Sequence, residues 1–228
     1  MECFDYIKSN YTALCEEIDR LGKAAGREVT LVCVTKSGSD DELLALAECG
    51  ALHIGENRPG ELRRRGDLLR ESGHTPALHE IGNLQRNKVK LIIESVDLIH
   101  SLDNISLAAE IDRQAERVGR TVRVLIEINS GREPQKGGVL PEEAEEFYLS
   151  LSHFEHIRVV GLMTMGPVCE DPEELRPCFR ETKELYDRLD RKYGFDGGIL
   201  SMGMSDSYAV AIEEGSSLVR VGRRLFSK

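Results

Sequence analysis

Eight short runs of apolar and β-branched residues alternate with helical patterns along the whole chain. They predict one α/β domain over residues 1–228, folded as a single (β/α)8 (TIM) barrel with an extra N-terminal helix. The strand patterns lie near 30–35, 52–55, 77–81, 97–101, 122–128, 157–163, 198–202 and 218–221. Strands separated by helices run parallel, because a crossover helix returns the chain to the same edge, and eight such units can close on themselves. The rival is an open doubly wound sheet. Its Gly-x-Gly-x-x-Gly fingerprint after the first strand is absent, as is a Gly-x-x-x-x-Gly-Lys-Ser/Thr phosphate loop.

Each helix has its own signals. The opening helix covers roughly 2–25. Ser39-Asp-Asp-Glu42 is a capping box, in which hydroxyl and carboxylate satisfy orphan N–H groups reciprocally. Pro141-Glu-Glu opens a later helix, and Asp171-Pro172 places an N-cap before a proline at the first helical position. Gly50 and Gly119 stand where helices stop. Gly137-Gly138 reads as a turn. No low-complexity stretch, internal repeat or long Pro/Gly linker divides the chain.

Composition narrows the class. Hydrophobic residues make up 40% of the 228, enough for a real core, but no apolar run is long enough to cross a membrane. The start, Met-Glu-Cys-Phe-Asp-Tyr-Ile-Lys, has no apolar core of a signal peptide. Six cysteines, at 3, 15, 33, 49, 169 and 178, form no Cys-x-x-Cys pair and join no His cluster, which argues against zinc and for a cytoplasmic protein with reduced thiols. A formal net charge of −10 argues against nucleic acid as a partner. Arg63-Arg64-Arg65, in a charge-rich helical stretch, is expected to be a solvated face.

In a barrel the active site gathers at the C-terminal ends of the strands. Lys36 ends the first strand pattern. Desolvation there disfavours its charge and makes its amine nucleophilic, as a Schiff-base lysine requires, although strand-end lysines also simply snorkel to water. Gly55-Glu56-Asn57 follows the second strand, and Asn57 could equally cap the helix near Pro59. His79 lies in the third and could be a hydrogen-bonded core histidine. Ser101-Leu-Asp103, Asn129-Ser130-Gly131 and Met163-Thr164-Met165 follow the fourth, fifth and sixth, where the methionines could fill core gaps. Ser201-Met-Gly-Met-Ser205 and Arg220-Val-Gly222 follow the last two. Small residues and hydroxyls before a helix suit an oxyanion, and these two loops are the usual phosphate site of the fold. Asp206 is expected to cap the next helix. A lysine facing a phosphate cup describes a site for a phosphorylated aldehyde.

The chain resembles the pyridoxal-phosphate homeostasis proteins, small relatives of the alanine racemase N-terminal barrel. The resemblance rests on Val34-Thr-Lys36, Gly55-Glu-Asn57, His79-x-Ile-Gly-x-Leu-Gln-x-Asn-Lys88, Asn129 through Lys136-Gly137, Gly161-Leu-Met163, Ser201-Met-Gly-Met-Ser205 and Val219-Arg-Val-Gly222. It implies pyridoxal 5'-phosphate as cofactor, held by Lys36 as an internal aldimine. Ser201, Gly203 and Ser205, with the backbone at Gly222, would hold the phosphate. Arg220 would face the pyridine nitrogen, Asn57 would line the cofactor face, and His79 and Met163 would support the ring from below. Ser207 stands where the family usually carries Asp, and the loop at Arg132-Glu-Pro134 is less typical of it.

Racemisation needs two bases, one on each face of the substrate carbon. In alanine racemases the second is a tyrosine completed by a C-terminal β-domain, for which this chain has no counterpart. Tyr6, Tyr11, Tyr148, Tyr186 and Tyr193 fall in helical patterns, and Tyr208 lies behind the phosphate cup. The expectation is therefore a non-catalytic, monomeric carrier or buffer of pyridoxal phosphate in vitamin B6 homeostasis, supplying apoenzymes. The alternatives are a low-activity racemase and a phosphosugar-binding barrel without cofactor.

Overall fold

The computed structural model describes residues 4–167, 169 and 171–227; Cys3, Lys228 and the first residues of the expected opening helix lie outside them. β1 (Thr30–Val34), β2 (His53–Glu56), β3 (Ala77–Glu80), β4 (Leu98–Leu102), β5 (Val122–Glu127), β6 (Ile157–Met163), β7 (Ile199–Ser201) and β8 (Leu218–Val221) form one closed parallel barrel in sequence order. The closing pair sets Thr30 against Leu218 and Cys33 against Val221. All eight strands fall where the sequence patterns put them.

The helices α1 (Asp5–Ala24), α2 (Asp40–Glu48), α3 (Pro59–Glu71), α4 (Ile105–Arg117), α5 (Ala144–Ser150), α6 (Arg176–Tyr193), α7 (Tyr208–Glu213) and α8 (Arg223–Phe226) accompany them. The capping box forms as expected: Ser39 Oγ accepts from Glu42 N at 3.2 Å, and Glu42 accepts from Ser39 N at 2.6 Å. Two starts differ. Pro141 opens a turn, and helix proper begins at Ala144. Asp171 caps a 3₁₀ turn at Pro172–Leu175, which then runs into α6. A proline at the first position supports either ring size, because it removes only an N–H that would be orphaned anyway.

Alternation along the strands separates two cores. Val32, Leu98, Leu125, Val160, Met163 and Leu218 pack inside the barrel. The intervening residues, such as Cys33, Ile54, Ile99, Ile126 and Val219, pack outward against the helices. This phase makes β1 present Val32 and Val34 inward, and so delivers Lys36 to the barrel mouth. Among the described residues no helix is long and apolar enough to cross a membrane, and no group of His, Cys, Asp and Glu could hold a metal. The five described cysteines are free.

The arginine run is corrected at one position. Arg63 and Arg64 are exposed, but Arg65 is buried and turns inward on α3. It donates to Glu56 Oε1 (2.5 Å), to the Gly38 carbonyl (2.5 Å) and to the Thr35 carbonyl, while Thr35 Oγ1 donates to the same Glu56 oxygen at 2.6 Å. Two consecutive residues on a helix lie 100° apart, so one can be solvated and the next buried. The pair clamps the backbone on both sides of Lys36.

Removing one partner of a buried ion pair strands the other. Arg65→Met should therefore lose about 3–5 kcal/mol in urea denaturation, whereas Arg64→Met, which breaks only exposed contacts to Asp40 and Glu61, should lose about 0–1 kcal/mol. Burial also raises the Glu80 carboxyl from 4.5 to about 8, with nearby Glu56 adding to the effect against the Gly82 N–H. A carboxyl whose folded pKa is raised favours folding below its unfolded pKa, and that contribution fades up to the folded one. Stability should decline between about pH 4.5 and 8, and Glu80→Gln should flatten that decline in a pH series of melts.

Candidate functional site at the barrel mouth

β1 and β2 pair Val34 with Gly55, so Lys36 and Asn57 leave adjacent strands at the same level. Both side chains are exposed, and Lys36 makes no hydrogen bond or ion pair among the described residues. Lys36 is therefore not buried at its strand end. Asn57 does not cap the next helix: the N-cap of α3 is Arg58, with no side-chain bond. The Asn57 backbone instead abuts Gly82, where an added Cβ would lie 2.3 Å from the Asn57 carbonyl oxygen.

The loops after β7 and β8 form a small-residue cradle. Gly203 has φ +90°, and a Cβ there would lie 2.6 Å from Ala211 Cβ and 2.8 Å from Tyr208 Cα. The Gly203 carbonyl accepts from Arg220 N at 3.1 Å, which ties the two loops. Ser205 Oγ accepts from Gly222 N at 3.3 Å, and a Cβ on Gly222 would lie 2.8 Å from the Val34 carbonyl, two residues before Lys36. Ser207 Oγ accepts from Met204 N at 3.1 Å and closes the turn, so serine supplies the acceptor at this position. The N-cap of α7 is Ser207, not Asp206, which pairs instead with Arg223.

Arg220 reaches up the inside of β8 and is 4% exposed. It donates to Ser201 Oγ at 2.5 Å and to the Thr164 carbonyl at 3.1 Å. Burial lowers its pKa to about 10, partly offset by Glu127, so it stays protonated at neutral pH. Ser201, implied at the phosphate, has its hydroxyl committed elsewhere: it is fully buried and lies between Arg220 and His100 Nδ1, at 3.1 Å. His79 and Met163 lie below the mouth. Met163 belongs to the barrel's interior apolar cluster, and His79 is 2% exposed, between His53 (3.0 Å) and His100 (2.9 Å).

Lys36, Asn57, Gly203, Ser205, Gly222 and Arg220 thus collect at one end, while Ser201, His79 and Met163 form the layer beneath. Sequence reasoning missed His100 and Glu127, and placed Thr164 only as one of the residues that follow β6. Glu127 ends β5, is 8% exposed, and has a carboxyl raised to about 7 by burial and by Asp103, against Arg220. His100 had a signal: it is two residues after Leu98, in the inward phase of β4. The tyrosines lie on α1, α5, α6 and α7, and the Tyr208 hydroxyl is held by Arg224.

The residues present fit a phosphorylated aldehyde: an accessible amine, a cradle that side chains would fill, and a buried cation. The alanine racemase N-terminal domain model matches residues 9–227. The pyridoxal phosphate homeostasis protein of Aquifex aeolicus is 40% identical over 216 residues, covering 93% of this chain and 94% of that protein. Its counterpart from Helicobacter pylori is 34% identical over 229 residues, covering 98% and 99%. PipY of Synechococcus elongatus, solved with PLP bound, superposes with TM-score 0.84 at 26% identity, covering 97% of this chain and all of that one. Alanine racemase of Clostridium difficile shares the fold, with TM-score 0.75 at 19% identity, and this chain covers 60% of it. On the family match and on these full-length relatives, the chain belongs to the alanine racemase N-terminal domain family.

Proposed function

We propose that this protein binds pyridoxal 5'-phosphate through Lys36 and serves intracellular vitamin B6 homeostasis as a carrier or buffer, without catalysis of its own. The observation that carries this reading is the exposed Lys36 amine, unpaired among the described residues, on the same barrel end as the Gly203–Gly222 cradle and the buried Arg220. When bound, the cofactor supplies an aldehyde and a conjugated pyridine ring. Lys36 would offer the amine that holds the cofactor by that aldehyde. The backbone and hydroxyl at Gly203, Ser205 and Gly222 would receive the phosphate, and Asn57 would line the face beside Lys36. Arg220 has donors only and keeps its proton, so it would hold a pyridine nitrogen unprotonated and weaken the ring as an electron sink. His79, Met163 and Ser201 support this arrangement from beneath.

A site with a weak electron sink suits holding the cofactor better than turning substrate over. A second base opposite Lys36 is what racemisation would need, and the tyrosines lie on the outer helices, with the Tyr208 hydroxyl held by Arg224. The acidic net charge and the reduced thiols suit a cytoplasmic monomer that delivers the cofactor to apoenzymes and binds neither nucleic acid nor membrane.

Addition of pyridoxal phosphate should produce a visible absorption band, and borohydride reduction should place the added mass on the Lys36 peptide. Lys36→Ala should lose both the band and transfer of cofactor to an apoenzyme. A colourless wild-type protein would refute the reading, and α-deuterium exchange with inversion in an amino-acid panel would replace the carrier by a racemase. Gly203→Ala imposes a Cβ at φ +90° against Ala211 and should cost about 1–3 kcal/mol of fold stability, with weaker cofactor uptake in titration.

A further inference from the structure

A file of polar side chains runs through the barrel interior, beside its apolar cluster. His53 Nδ1 meets His79 Nε2 at 3.0 Å, His79 Nδ1 meets His100 Nε2 at 2.9 Å, His100 Nδ1 meets Ser201 Oγ at 3.1 Å, and Arg220 donates to that same Oγ. The members come from the neighbouring strands β2, β3 and β4 and from β7 and β8. His53 is half-buried and lines an open groove of about 820 Å³ between α1 and the N-terminal ends of the strands. The other four are buried, at 0–4% exposure. Nothing in the cofactor reading requires three histidines here.

Satisfying the Ser201 hydroxyl favours one direction for the whole file. A guanidinium has donors and no acceptor, so Ser201 must accept from Arg220. A hydroxyl can accept twice, but its own proton meets no acceptor other than His100 Nδ1 among the described residues, and donating there leaves that nitrogen bare. A neutral imidazole with a bare Nδ1 carries its proton on Nε2. His100 therefore donates to His79 Nδ1, His79 donates from Nε2 to His53 Nδ1, and His53 keeps an Nε2 proton of its own.

We propose that His53, His79 and His100 form a one-way hydrogen-bond column, all three in the Nε2–H tautomer, that holds Ser201 as an acceptor and thereby positions Arg220 beneath the mouth. The three histidines are positioning residues, and their link to the cofactor rests on the reading of the mouth given above. The column is a brace and not a proton conduit, because a guanidinium that keeps its proton closes its upper end.

Burial agrees with a neutral column. It lowers His79 to about 3, with His53 and Arg123 adding to the effect, and lowers His100 well below the ordinary range, with His79 and Arg220 adding. His53 is lowered by burial and by Arg123, against Asp97, and its groove also holds Asp19, Lys23, Arg27 and Glu28. At the upper end Arg220 faces Glu127. To protonate His53 a proton must occupy Nδ1, where His79 already donates, so acid opens the column from its lower end.

Two measurements test this. Long-range 15N–1H correlation spectra of histidine-labelled wild-type apo-protein at neutral pH should show His53, His79 and His100 all protonated at Nε2. A Nδ1–H tautomer or an imidazolium at His79 or His100 would overturn the proposal. Next, the pH midpoint of the visible band should be compared across variants loaded with pyridoxal phosphate. His100→Leu removes the acceptor for the Ser201 hydroxyl and should move the midpoint. His100→Gln, whose amide can both accept from Ser201 and donate to His79, should restore it. Equal midpoints in wild type and His100→Leu, with the band present in both, would overturn the positioning role. Absence of the band from wild type would overturn the reading of the mouth instead, and the tautomer spectra would still decide the column.

Discussion

Arg220 is a buried cation that can only donate hydrogen bonds, and the upper half of the barrel is arranged around that constraint. A charge taken out of water must be met by acceptors or the fold loses several kcal/mol. Here the Ser201 hydroxyl and the Thr164 carbonyl meet it. Thr164 is fixed in turn, donating to the Ile128 carbonyl at 2.9 Å and facing Ser130 Oγ at 2.8 Å. The ends of β5, β6, β7 and β8 are thereby joined through one guanidinium. The same cation sits beneath the loops that would hold a phosphate, so one residue links barrel stability to site polarity.

The two sides of the mouth are held differently. On the β1–β2 side the backbone around Lys36 is clamped from outside, by the Arg65–Glu56 pair that also binds Thr35 and Gly38. On the β7–β8 side the backbone is held by close packing at Gly203 and Gly222 and by the hydroxyls of Ser205 and Ser207. Lys36 itself is left unrestrained between these two supports. An amine that must meet an aldehyde and later release it is served by that freedom, because no ion pair has to break first.

The strand pattern was readable because each β-run is bounded by turn residues and each gap is long enough for a helix. Closure was also readable, since eight parallel units have few other arrangements. What lay inside was harder to see. Arg65 looks like its neighbours Arg63 and Arg64 until the helical phase is set by Leu62 and Leu69, which are buried on the same side. His53, His79 and His100 are far apart in sequence, and only the register of three adjacent strands brings them into one file. Ser201 was read as a phosphate ligand from its motif, but the inward phase of β7 turns its hydroxyl into the barrel, between Arg220 and His100. Glu127 carries no local sign of a raised pKa, because its burial beside Asp103 is a product of the closed barrel.

The central claim is that one mouth brings together the amine, the phosphate cradle and the arginine. A crystal structure of the protein grown with pyridoxal phosphate tests it most directly. The account predicts density continuous with Lys36 Nζ, a phosphate against Gly203, Ser205 and Gly222, and the pyridine nitrogen facing Arg220. A cofactor seated elsewhere, or one whose ring nitrogen turns away from Arg220, would contradict it.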